Sequence, residues 1–313
     1  MALGLVEGDN LAALAALGED FDQQAALVYM DPPFFTRRTH QLVTRKRGVD
    51  GRLERTLSPG FDDRWDSLEQ YLEALWPRLV AARQLLRPDG SLVLHVDSKT
   101  SHYAKVLLDE LFGLDCFASE IIWRYRRWPA KTQNFQRVHD VLLRYVRDAS
   151  VKPRFNQLYE PLAASTKATW GDRKQRAVFD DEGRRMRSST TRDGSPGAPL
   201  GDVWEIGILA PVARERNGYP TQKPEALLER LIEACSCPGD LVVDPYLGSG
   251  TTVAVAARLG RRAIGIDVNP ESLNLTRTRL QALERSCTET KVETPAGLHK
   301  ARRTTPLAKR RVA

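Results

Sequence analysis

The sequence holds little that would carry it out of the cell or into a membrane. No apolar run approaches the roughly eighteen residues of a membrane-crossing helix, and the N-terminus lacks a basic region followed by a long apolar stretch. A soluble, unexported, cytoplasmic protein with no membrane partner is the expectation. Cysteine is scarce, with thiols only at Cys116, Cys235, Cys237 and Cys287. Cys235 and Cys237 stand one residue apart with no histidine nearby, which is not metal-ligand spacing, so buried or incidental thiols and no metal are expected. Acidic residues are the minority, 40 against 47 Lys and Arg, giving a formal charge of +7 that suits a polyanionic partner. A chain of 313 residues can form one large α/β domain with an insertion, or two domains.

What is present is organised around residues 27–34, Leu-Val-Tyr-Met-Asp-Pro-Pro-Phe. Residues 26–30 form an apolar run too short for a helix, and the proline pair forbids its continuation. The chain therefore leaves a buried strand where a carboxylate appears. In an open α/β sheet, ligands sit outside the carboxyl ends of the strands, which places Asp31 and Phe34 where a flat substrate could be held. Pro32 and Pro33 stiffen the link and fix the Pro32 carbonyl as a second acceptor beside the carboxylate. An acid, a fixed carbonyl and an aromatic face suit an exocyclic amino group on a planar ring. For D-P-P-F in isolation the plain alternative is a loop, with Asp31 capping a helix and Phe34 in the core.

Along the chain, Gly8-Asp9-Asn10 reads as a turn that caps a helix over 11–17; capping is the default role of Asp9 and ligand contact the sharper one. Residues 36–60 are basic (Arg37, Arg38, Arg45, Lys46, Arg47, Arg52, Arg55) and read as a long functional loop beside the site. A helix over 67–86 capped by Ser67 is followed by a turn at 87–90. A buried strand over 91–96 then ends at Asp97, with His95 as a core or rim histidine. A helix over 101–112 precedes strands over 121–125 and 141–146. The connection between those strands is basic and aromatic, with Arg126, Arg127, Trp128, Lys131, Phe135 and Arg137. Apolar periodicity fades over 150–216, an insertion whose basic residues, Trp170 and Trp204 suit nucleic-acid recognition; a disordered linker is the alternative.

Thr221-Gln222-Lys223-Pro224-Glu225 opens a helix. A strand over 241–243 then runs into Asp244-Pro245-Tyr246-Leu247-Gly248-Ser249-Gly250-Thr251-Thr252, a helix reaching Leu259, and a strand ending at Asp267. Strand, glycine turn, helix, strand and acid is an arrangement for a nucleoside-bearing cofactor. Gly248 and Gly250 let backbone approach ligand, and Asp267 can accept both ribose hydroxyls. The spacing is neither G-x-G-x-x-G nor a P-loop. Asp244 would repel a pyrophosphate but could accept an ammonium, which points to S-adenosylmethionine.

The motifs D-P-P-F at 31–34, T-Q-K-P at 221–224 and D-P-Y-L-G-S-G-T-T at 244–252 together resemble the DNA amino-methyltransferases, with the acceptor motif before the cofactor motif as in the permuted β group of that family. F-D-D-R-W at 61–65, P-D-G-S-L-V-L-H-V-D at 88–97 and the I-I-W-R-Y strand fit as well. The resemblance implies a Rossmann-like class I methyltransferase fold, with a seven-stranded, mostly parallel sheet in permuted order and an inserted target-recognition segment. It divides the chain into a catalytic half (1–149), the insertion (150–216), a cofactor half (217–283) and a basic, disordered tail (284–313).

It implies that Asp31, Pro32, Pro33 and Phe34 are catalytic, and that the base is flipped out of duplex DNA onto Phe34. Asp9 and Asp31 would bracket the adenine end of the cofactor, Asp244 the ammonium, Lys223 the carboxylate and Asp267 the ribose. Tyr246, Gly248, Ser249, Gly250 and Thr251 complete the cofactor set. Asp at the first motif position is commoner in adenine-N6 enzymes, so adenine N6 is favoured over cytosine N4, and a catalytically idle DNA-binding homologue is the further alternative. A homodimer, a cognate restriction enzyme and association with the nucleoid are compatible with the resemblance. RNA and protein-glutamine methylation use a related Asn-Pro-Pro-aromatic motif, whereas position 31 here is Asp.

Overall fold

The computed structural model describes residues 3–47, 53–129, 131, 133–210, 213–282 and 288–291. The chain opens with β1 (Leu3–Glu7), α1 (Asn10–Phe21) and β2 (Ala25–Met30), followed by a pair of strands, β3 (Thr39–Arg47) and β4 (Leu53–Asp62). Next come α2 (Leu68–Leu85), β5 (Leu86–Asp97), α3 (Ser101–Phe112), a 3-10 turn (Leu114–Cys116), β6 (Phe117–Arg124) and β7 (His139–Val146). The variable middle contains β8 (Tyr159–Glu160), α4 (Ala164–Trp170), β9 (Arg173–Phe179), β10 (Arg185–Gly194), β11 (Ala198–Pro199) and β12 (Val203–Glu205). The last part is α5 (Glu225–Cys235), β13 (Leu241–Asp244), α6 (Thr251–Arg258), β14 (Arg262–Asp267), α7 (Pro270–Ala282) and β15 (Thr288–Lys291).

One sheet carries the molecule, in the order β12-β6-β7-β5-β2-β13-β14-β1-β15. Every pairing in it is parallel except those of β7 with β5 and β6. All six residues of β2 are buried, as expected of a central strand covered on both faces. Its side chains alternate between two apolar layers: Val28 and Met30 pack with Leu14, Tyr71, Leu79 and Leu108 of α1, α2 and α3, while Leu27 and Tyr29 pack with Leu228, Leu231 and Val255 of α5 and α6. Leu227, Leu228, Leu231 and Ile232 of α5 are each at most 1% exposed, and full burial of such a side chain contributes roughly 1.5–3 kcal/mol. Ser67 caps α2 by accepting from the Gln70 amide.

Several expectations change. The sheet has nine strands rather than seven, because β12 and β15 extend its two edges. Residues 36–60 are not a loop: β3 and β4 pair antiparallel from Thr39 opposite Asp62 to Arg47 opposite Leu53; Arg52 lies outside the described residues. The turn at 87–90 is an outward excursion inside β5, since Leu86 pairs with Ala25 and Ser91 already pairs with Leu27. Within 150–216, β9 and β10 form a hairpin of their own, whereas β12 joins the main sheet. Trp204 is therefore a core residue, 5% exposed with its indole N–H donating to the Gly201 carbonyl, and it is not available for nucleic acid. Of the supposedly disordered tail, residues 288–291 pair with β1, and the remainder, with Cys287, lies outside the described residues.

Candidate active site

Parallel pairing brings the ends of five strands to one edge of the sheet, and each ends at or just before a carboxylate: Asp9 after β1, Asp31 after β2, Asp97 in β5, Asp244 in β13 and Asp267 in β14. A cavity of about 480 Å³ opens at this edge, and every residue proposed for the site from sequence lines it except Gly250.

On the acceptor side, Asp31 is largely buried. Its Oδ2 is paired with the Lys223 ammonium. Its Oδ1 is buried without a hydrogen-bonding partner among the described residues, 3.6 Å from His95 Nδ1. A buried acceptor without a donor costs free energy, which a donor brought within reach would relieve. The Phe34 ring lies between His95, 5.3 Å away, and the Lys223 ammonium, 4.9 Å from the ring centre. Lys223 thus pairs with Asp31, the nearest opposite charge in this poorly solvated corner.

Three groups not assigned to the site from sequence hold it in place. Asp63, immediately after β4 and wholly buried, accepts from the backbone N–H groups of Phe34, Phe35 and Thr36, from the Thr36 hydroxyl and from the Trp65 indole. That grip holds a turn in which Phe35 and Arg37 adopt left-handed φ of 56° and 59°, conformations disfavoured for side chains of this size. The available signal was the acidic pair in F-D-D-R-W. His95, the second group, is wholly buried beneath Phe34: the Tyr29 hydroxyl is 2.8 Å from its Nδ1 and Asp140 is 3.7 Å from its Nε2. Burial alone would raise the Asp140 carboxyl, yet His95, Lys223 and Tyr125 draw it below its ordinary range. Arg78, the third, reaches across from α2 to Asn10 and to Asp9 at 3.1 Å.

On the other side, Asp244 is 2% exposed. Burial pushes its carboxyl up to about 7, with the negative charges of Asp31 and Asp267 adding, although Thr252 and the Tyr246 amide donate to it. Burial also raises Asp267, which accepts from the amides of Gly248 and Asn269, both at 2.8 Å. Gly248 and Gly250 take left-handed φ of 51° and 73°. A Cβ on Gly250 would lie 2.1 Å from Thr276 Oγ1, so this glycine makes room for α7. Ser249 and Thr251 bond to each other, and Thr251 donates to the Lys223 carbonyl, tying the glycine turn to T-Q-K-P. Asp9 caps α1 through Leu11 and Ala12, its default role, while still lining the cavity.

The sequence model of the family described as DNA methylase matches residues 25–278, most of the chain. The protein belongs to the DNA methylase family. Across 278 residues it is 28% identical to the DNA adenine methyltransferase YhdJ of Escherichia coli K12, covering 88% of this chain and 82% of that protein. Among solved structures, the DNA modification methylase TTHA0409 of Thermus thermophilus, complexed with S-adenosyl-L-methionine, has a TM-score of 0.53 at 20% identity, over 93% of this chain and 100% of its own. The cytosine-N4-specific PvuII DNA methyltransferase has a TM-score of 0.57 at 17% identity, over 89% and 87%. These two likenesses establish that the methylase has the α/β fold of the DNA methyltransferases.

Proposed function

We propose that this methylase transfers a methyl group from S-adenosylmethionine to the exocyclic amino group of a base flipped out of duplex DNA, with adenine N6 the acceptor. The observation that carries this reading is Asp31, whose Oδ1 is a buried acceptor without a hydrogen-bonding partner among the described residues, in the wall of the cavity that Asp244, Gly248 and Asp267 also line. The Asp-first motif and the name of the Escherichia coli relative favour adenine over cytosine.

The residues fit the cofactor. Asp244, a buried carboxylate raised to about 7, would be relieved of that cost by a ligand ammonium, and Asp267 and the Gly248 turn sit beside it for the ribose and the methionine portion. When bound, S-adenosylmethionine supplies an electrophilic methyl group on a sulfonium centre. This chain prepares the nucleophile. The amino nitrogen is unreactive because its lone pair is delocalised into the ring; donating its two N–H groups to Asp31 Oδ1 and the Pro32 carbonyl favours a more tetrahedral nitrogen and returns the lone pair to it. Lys223 holds the other Asp31 oxygen and keeps the carboxylate oriented. Phe34 stacks on the extruded ring, and Asp31 accepts the amino proton released when the N–C bond forms.

The test is incubation of the protein with isotopically labelled cofactor and unmethylated duplex DNA, followed by nucleoside analysis. Labelled N6-methyladenine is expected. Labelled N4-methylcytosine would move the acceptor to cytosine, and absence of label from DNA would remove the reading.

A further inference from the structure

Most large aromatic side chains of this protein are covered, yet two stand almost bare on one connection. Trp128 is 90% exposed and Phe135 is fully exposed, and both lie between β6 and β7. Leaving such rings in water forgoes a large burial gain. Here the flank is basic: Arg126, Arg127, Lys131 and Arg137 are all exposed.

The connection stands on the active-site edge. β6 and β7 pair through Arg124 opposite His139 and Trp123 opposite Asp140, and Asp140 pairs in turn with Asp97 of β5. Its feet are tied to the site: Tyr125 donates to Asp140, which faces His95, and Arg137 donates to Asp97 at 2.9 Å. The span is also cross-braced, because the Tyr125 amide donates to the Val138 carbonyl and the Gln136 side chain donates to the Trp128 carbonyl at 2.7 Å. The two bare rings thus stand on one braced, cationic projection at the active-site edge of the sheet.

We infer that Trp128 and Phe135 form an aromatic wedge that enters the DNA stack and fills the space left by the flipped base, with the neighbouring arginines and Lys131 on the phosphates. This inference rests on the proposed function, since it requires a duplex from which a base is extruded. Extrusion sacrifices stacking and pairing that a plain phosphate contact does not replace, whereas an aromatic face restores the stacking. Charge complementarity selects nucleic acid over an apolar protein partner for the same surface.

The wedge is distinguished from general affinity by the substrate. Trp128→Ala and Phe135→Ala, singly and together, are assayed on a matched duplex and on the same duplex with the target base opposite an abasic site, where no pairing has to be broken. On the matched duplex the double variant is expected to lose at least about tenfold in kcat/KM, the factor corresponding to one lost base–aromatic stack. Opposite the abasic site it is expected to remain within about threefold of the unaltered protein, because little extrusion work is left. Calorimetric affinity for S-adenosylmethionine should be unchanged in all variants, which checks their folding. Equal losses on the two substrates would show that the rings add only general affinity and would overturn the wedge, as would no loss on either. Failure of the unaltered protein to methylate either duplex would instead defeat the proposed function itself.

Discussion

At the scale of single residues, the site is a set of carboxylates that differ in what each is allowed to do. Asp31 keeps one oxygen for Lys223 and the other, among the described residues, without a donor, Asp63 has both oxygens filled by donors, and Asp244 is buried with too few. Asp244 gives a pH prediction. Its folded value of about 7 lies above the unfolded 3.8, so the folded state binds the proton more tightly. Its contribution to stability is full below the unfolded value and is lost as pH rises towards the folded one. Cofactor-free protein should therefore lose thermal stability from this group between about pH 4 and pH 7. Affinity for the cofactor should rise across the upper part of that window as the carboxylate ionises. Asp244→Asn should bind cofactor weakly at every pH and lose the pH-dependent component of melting temperature; melting curves and calorimetry between pH 5 and pH 8 check both. Asp31, Asp244 and Asp267 were legible in the sequence because each follows a short apolar strand. Lys223 was legible as a site residue, but its pairing with Asp31 was not, because spacing along the chain does not say which side chains meet across the fold.

At the scale of elements, the hairpin of β3 and β4 and the grip of Asp63 at its base belong together. Neither was legible, for one reason: residues 39–47 and 53–62 carry no sustained apolar alternation and so read as solvated loop. Leu42 is nonetheless buried, 2% exposed. Asp63 sits where the hairpin returns, and through it β4 fixes the turn that carries Phe34. Asparagine has nearly the same shape, yet whichever way it is placed its NH₂ meets at least two of the five donors now satisfied. Asp63→Asn should lower kcat by about 10- to 100-fold while cofactor affinity holds, since a misplaced acceptor loop costs turnover more than binding. Trp65→Phe removes a donor to the same carboxylate without touching residues 34–36, and should leave kcat within about threefold. Equal effects of the two changes would mean that Asp63 serves stability alone. Helices and central strands, by contrast, were readable nearly to their ends, as with Ser101–Phe112, because their apolar spacing matches the layer each one faces.

At the scale of the whole molecule, one sheet gathers two chemistries on one edge. β2 and β13 are neighbours although 192 positions separate Asp31 from Lys223, whose ammonium it meets. The D-P-P-F and D-P-Y-L-G-S-G-T-T motifs, distant in the chain, thereby share one cavity, and the β6–β7 connection stands on the same edge of the sheet. Strand number was less legible than strand order of importance: β12 and β15 are short edge additions of three and four residues, below the length at which a pattern can be told from chance. The proposed function rests on the unpartnered oxygen of Asp31. The most direct test is therefore single-turnover methylation of duplex DNA by Asp31→Ala, with bound cofactor confirmed in the same sample. Loss of methyl transfer by at least about a thousandfold with cofactor still bound is the expected result, and turnover within about tenfold of the unaltered protein would contradict the assignment of Asp31 as the acceptor of the amino group.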